Sequence, residues 1–240
     1  MHREKGRTKM KKRFAFSTIL ISTAFMLGTT SAWAANTSTG TSKAEITFTT
    51  NAAPIIVNPD SPNPNTPYRP QDNGGNTPTG NTGPLTLDYA PNFNFGSNEL
   101  LVNKALFKAK DQKPFLQVTD RRILPTKWDV KVKLSTFKDS GGKDSLAGST
   151  LTINAGDVQT LIGMSNTAKP TTGDVTLTPG NPGDAKVILA SAAGTFSTWQ
   201  IYWKGNGTDN ERITLNVPVG VQVEGKHIAT LDWTLSDVVN

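Results

Sequence analysis

Trp128-Asp129-Val130-Lys131-Val132-Lys133-Leu134 alternates apolar and polar residues without a break. Side chains two apart on a strand share a face, so Trp128, Val130, Val132 and Leu134 line one side and Asp129, Lys131 and Lys133 the other. This is a strand with one face in a core. The same period recurs outward from it: Ser149–Ile153, Asp174–Thr178, Ala185–Leu189, Trp199–Trp203, Arg212–Val217 and Thr230–Leu235. Turn residues separate these runs. Ser140-Gly141-Gly142-Lys143 and Pro179-Gly180-Asn181-Pro182-Gly183 read as turns, and Gly205-Asn206-Gly207 reads as the bend of a hairpin. Asp157–Met164 is the one stretch that could form a short helix. Many short strands between Gly/Pro/Asn turns predict an all-β fold, a single β-sandwich-like domain.

Upstream, Ala44-Glu45-Ile46-Thr47-Phe48-Thr49-Thr50 also alternates and predicts a strand. Residues 54–84 then hold eight prolines among Asn, Thr and Gly. Such a composition cannot bury a core, which predicts an extended or disordered segment, read as a long surface loop with nothing to bury. The domain therefore runs from 44 to 240 with a long Pro/Asn-rich loop inside it, preceded by a tail over 35–43.

Residues 1–34 read as a cleaved export signal. Met10-Lys11-Lys12-Arg13 is basic, Phe14–Gly28 is apolar but too short for a span of about 20 residues, and Ala32-Trp33-Ala34 is a small-x-small cleavage site. No membrane span is expected after processing. Removing this segment leaves 18 Lys/Arg and 18 Asp/Glu, so the basic balance belongs to the signal, and attraction to nucleic acid is not supported. The chain has no cysteine, which excludes disulfides, thiolate metal sites and a lipid-bearing Cys. Its last residues, Trp233 to Asn240, have no apolar tail or basic stop, so covalent wall anchoring is not expected.

Catalytic chemistry finds little to work with. His227 is the one histidine of the mature chain, so a His-based metal cluster is not expected and a Ser/His/Asp triad would rest on it alone. No Gly-x-Ser-x-Gly elbow occurs, and no spacing singles out a carboxylate pair. Asp209, Asn210 and Glu211 could hold Ca²⁺ at a hairpin end, but solvated turn residues are the commoner explanation. The chain reads as a non-enzyme without a cofactor or metal.

Two sets of residues carry a resemblance. Ala229-Thr230-Leu231-Asp232-Trp233-Thr234-Leu235-Ser236-Asp237 is similar to the ending of the WxL surface proteins of Gram-positive bacteria. Trp128-Asp129-Val130, preceded by Asp120-Arg121-Arg122, resembles their proximal motif with its D-x-R. Leu87–Gly96 and Val175–Gly180 are further similar stretches, so the resemblance spans 44–240. Val130 stands where the proximal motif has Leu, Lys127 where a small residue is usual, and His227 where Tyr is common. The resemblance implies a secreted, cell-surface protein that binds peptidoglycan or an associated wall polymer non-covalently. It also implies an alternative, a subunit of a surface complex with a WxL-interacting protein and an LPxTG-anchored partner. The implied motif residues, structural or wall-binding, are Asp120, Arg122, Trp128, Asp129, Val130, Trp233, Thr234 and Leu235.

Two readings of the motif tryptophans stand side by side. Trp233 shares a strand face with Leu231 and Leu235, as Trp128 does with Val130, so core packing is preferred over an aromatic platform for sugar rings. Asp120 and Arg122 then read as a structural ion pair. Charge is uneven along the chain: residues 101–143 hold eleven bases and four acids. Lys127, Lys131 and Lys133 project together from the outer face of the Trp128 strand, a candidate contact for anionic wall polymers or an acidic partner, or a plain solvated face.

Overall fold

The computed structural model describes residues 39–48, 52–70, 76–164, 168–181 and 183–238. The export-signal expectation lies outside them. Residues 39–46 are exposed and irregular, and the compact body begins at Thr47. The strand expected at 44–50 does not form over 44–48, where the chain has no partner strand to supply its backbone hydrogen bonds. The body is all-β: among the described residues no α-helix occurs, and one 3₁₀ turn covers Val219–Val221. No helix there is long and apolar enough to cross a membrane.

Three four-stranded antiparallel sheets and one two-stranded ribbon make up the body. The first sheet has the order β1-β3-β12-β8, from Leu85–Tyr89, Phe115–Asp120, Ser197–Tyr202 and Asp157–Thr160. The second is β10-β7-β13-β2, from Val175–Leu177, Thr150–Ile153, Asn210–Asn216 and Leu106–Ala109. The third is β14-β4-β11-β9, from Leu231–Val238, Lys127–Leu134, Lys186–Ala190 and Thr171–Thr172. Phe137–Lys138 (β5) and Asp144–Ser145 (β6) form the ribbon. The short helix expected at Asp157–Met164 is instead β8 and a turn, because the edge of β12 offers Val158 and Gln159 a ladder.

All three sheets turn an apolar face to one core. Trp128, Val130 and Val132 share one buried cluster with Leu116, Trp199 and Ile201 of the first sheet and Leu151, Ile153 and Ile213 of the second. Most strands switch sheets rather than returning on their neighbours. The Gly205–Gly207 bend joins β12 and β13, which belong to different sheets, so the expected hairpin is absent. Buried Asn210 turns the chain: its amide donates to Trp203 O at 2.6 Å and Asp111 O at 3.1 Å.

The Pro-rich loop is not idle. β3 and β12 are buried on both faces, since Gln117 and Gln200, opposite the core, lie beneath the loop residues Ile56 and Val57. Val57 N donates to Gln117 Oε1 (3.1 Å), Gln200 Nε2 to Val57 O (2.8 Å) and Gln117 Nε2 to Ile55 O (2.8 Å). Ile56, Tyr68, Tyr89, Phe115 and Tyr202 form a second small apolar cluster. The expectation of a loop with nothing to bury is corrected. Ile55-Ile56-Val57, an apolar run inside the proline-rich stretch, is the signal for it.

Candidate functional site

The two motif strands are cross-strand neighbours. β14 runs antiparallel to β4 in unbroken register from Leu231↔Leu134 to Val238↔Lys127, with Trp233 opposite Val132 and Leu235 opposite Val130. A strand pair without a bulge keeps every side chain on its assigned face. The inner face therefore gathers Trp128, Val130, Trp233 and Leu235, and the outer face Lys127, Asp129, Lys131, Lys133, Asp232 and Thr234.

Inside, the two tryptophans differ. Trp128 is fully buried, and its indole N–H has no partner. It packs in the core. Trp233, on the edge strand, is half-buried and meets Phe93 edge-on at 6.4 Å between centroids, while Phe93 meets Trp203 at 6.2 Å. Trp128 thus lies in the core and Trp233 at its partly exposed margin. A groove of ≈1470 Å³ opens beside Trp233 and Leu231, walled by Phe93, Phe95 and Phe137. His227 borders it, fixed by Ser145 Oγ at 3.0 Å and Val223 O at 3.1 Å.

At the far end of the pair the motifs are clasped together. Asp120 is fully buried, and Arg122 meets it with a two-pronged contact: Nη2 to Oδ2 at 2.7 Å and Nε to Oδ1 at 3.0 Å. Arg122 also pairs with Asp237 Oδ2 at 2.9 Å, and Thr126 Oγ1 donates to Asp237 Oδ1 at 2.6 Å. Two oxygens facing a planar guanidinium give a stronger contact than a point charge. Asp120 first, then Asp237, raise the Arg122 pKa; the Thr126 hydroxyl first, then Arg122, hold the Asp237 carboxyl below its usual value. The D-x-R of one motif thus locks the last acid of the other. Thr126 and Asp237 complete the constellation and were not singled out by sequence, because their meeting depends on the β4–β14 register.

The outer face is less basic than the lysines alone suggest. Lys131 Nζ lies 3.7 Å from Asp129 and Lys133 Nζ 3.6 Å from Asp232. Val187 of β11, opposite Lys131, is partly exposed beside them. The result is a flat surface of mixed sign. The residues weighed for Ca²⁺ do not converge: Asp209 pairs with Lys110 at 2.5 Å, Glu211 with Lys108 at 2.6 Å, and the Asn210 amide faces backbone carbonyls. Among the described residues no three His, Cys, Asp or Glu side chains gather to hold a metal.

No curated protein and no solved structure matches the chain. A family model described as WxL domain, surface cell wall-binding, matches residues 35–238. It covers both motif strands, the Asp120–Arg122–Asp237 clasp and the loop that roofs the first sheet. The chain belongs to the WxL family of surface, cell wall-binding domains.

Proposed function

We propose that the wall component bound is peptidoglycan, held non-covalently on the outer face of the paired motif strands after export by the 1–34 signal. The observation that carries this reading is the register. It sets Lys127, Lys131 and Lys133 on one outward surface with Asp232, Thr234 and the largely buried Asp129, while the motif side chains beneath hold that surface in place. Peptidoglycan offers sugar hydroxyls and amides together with peptide carboxylates and amines, so a mixed-sign polar face suits it better than a uniformly basic one would. The residues act by binding alone, without catalysis.

Sedimentation with purified peptidoglycan tests this. The triple variant Lys127→Glu, Lys131→Glu and Lys133→Glu should bind roughly tenfold more weakly at 0.1 M salt, from three surface contacts of about 0.2–1 kcal/mol each. The difference should shrink at 1 M salt, where the screening length falls from about 10 Å to about 3 Å. Its melt should fall only slightly, because the changes at Lys131 and Lys133 set like charges against Asp129 and Asp232 on a solvated face. Equal retention at low salt would refute this face as the contact.

A protein partner, of the WxL-interacting type, is a second reading favoured by one observation. Ile123 and Leu124, beside the clasp, are 97% and 85% exposed, an apolar pair suited to another surface protein. Co-sedimentation with and without such a partner, using Leu124→Asp, separates it from direct wall binding.

A further inference from the structure

A sheet edge leaves backbone N–H and C=O groups pointing outward, a template for another strand. This protein covers such edges elsewhere. Along β1, Thr79 N donates to Asp88 O at 2.8 Å, and the side chains of Thr79 and Asn81 donate to Leu87 O. Beside β8, the Gln159 side chain donates to Pro59 O at 2.6 Å, and just past the strand Ile162 N donates to Pro62 O at 2.9 Å.

β14 has no comparable cover. Among the described residues its backbone bonds run to β4 on one side, and no strand is hydrogen-bonded to its other edge, although β1 packs near it. It is eight residues long, without bulge, Lys or Pro, the usual devices that protect an edge. Its four central residues, Trp233–Ser236, are uncharged. Leu231, Trp233 and Leu235 on its inner face are only half-buried, next to the groove walled by Phe93 and Phe95.

The chain also carries a strand without a sheet. Lys43-Ala44-Glu45-Ile46-Thr47-Phe48 alternates with period two, yet it is irregular, with Ile46 74% and Phe48 84% exposed. We propose that the Lys43–Phe48 segment of one molecule adds as an antiparallel strand to the β14 edge of a second copy, its apolar face covering Leu231, Trp233 and Leu235.

Charge chooses the direction. Antiparallel pairing with Ile46 opposite Trp233 sets Phe48 against Leu231 and Ala44 against Leu235. On the outer side Thr47 then faces Asp232, Glu45 faces Thr234 and Lys43 faces Ser236, with no like charges together. The parallel alternative brings Glu45 beside Asp232, which is destabilising. The contact is heterologous, so it links copies head to tail. Linked copies would hold a multivalent wall more firmly than single ones.

The absence of native cysteine makes a clean test. Opposed residues of antiparallel strands lie about 4.5–5.5 Å apart, within disulfide range. Full-length chains carrying Glu45→Cys and Thr234→Cys, separately tagged, are mixed under mild oxidation. The mixed dimer should dominate, at least about fivefold over Glu45→Cys mixed with Glu224→Cys. Adding Ile46→Asp and Phe48→Asp to the donor should abolish it while the melt stays at the wild-type value. The proposal is overturned if the Glu224→Cys control cross-links equally, or if Thr234→Cys homodimers predominate through direct edge pairing. It is equally overturned if a chain bearing both cysteines closes on itself as a monomer.

Discussion

Replacing Trp128 by Ala should cost far more stability than replacing Trp233 by Ala, although both head a family motif. Trp128 is fully buried among side chains of three sheets, so truncation opens a cavity that the rigid surroundings fill only partly. Large aromatic-to-alanine changes in such sites cost about 3–5 kcal/mol. For a body of this size each kcal/mol shifts the melting temperature by about 2–4 °C, which places the drop at roughly 6–20 °C. Trp233 is half-buried on an edge strand, touching Phe93 edge-on, and its loss should cost about 1–2 kcal/mol. Trp128→Phe should be milder than Trp128→Ala, because it keeps most of the ring and removes an indole N–H with no partner. Urea unfolding followed by tryptophan fluorescence, with circular dichroism melts, measures all three. A Trp128→Ala protein that melts with wild type, or a Trp233→Ala protein less stable than Trp128→Ala, would refute the packing assignment.

Three further outcomes follow from the same geometry. Arg122→Ala strands the buried Asp120 carboxylate and should cost about 3–5 kcal/mol, with little rescue by Arg122→Lys, which cannot make the two-pronged contact; denaturant midpoints decide it. Burial, the largest influence, raises the Asp88 pKa above its ordinary 3.8 despite hydrogen bonds from Thr119, Thr86 and Gln117. Its contribution is therefore full below that value and is lost as pH rises through the raised pKa. The wild-type minus Asp88→Asn stability difference, followed by urea titration upward from about pH 3.5, should decline across that window, and a flat difference would contradict the buried-acid assignment. Deleting 61–81 removes the bonds from Thr79 and Asn81 to β1 and the packing of Tyr68, and should cost about 3–5 kcal/mol by calorimetry, counting about 1 kcal/mol per hydrogen bond.

The strands themselves were legible in the linear chain. Period-two alternation depends on neighbours one and two residues away, so the runs through Trp128, Trp199 and Trp233 mark both the strand and its inward face. What alternation cannot carry is the identity of the partner strand. β12 and β13 flank a good turn, yet they pair with β3 and β7 because their apolar faces and the buried Asn210 are satisfied only in separate sheets. Asp157–Thr160 reads as a possible helix until β12 supplies its ladder.

The candidate site divides in the same way. Its tryptophans, its D-x-R and its lysines stand in the sequence, and their strand faces follow from parity. Only tertiary structure brought Asp237 within 2.9 Å of Arg122 across more than a hundred residues, and only it set Asp129 and Asp232 beside the lysines. The Pro-rich loop shows the reason most clearly. Its composition describes how little it can bury by itself, whereas its place over Gln117 and Gln200 depends on amides in strands 60 and 143 residues away from Val57. Local periodicity decides what a segment can become; the satisfaction of distant buried groups decides where it goes.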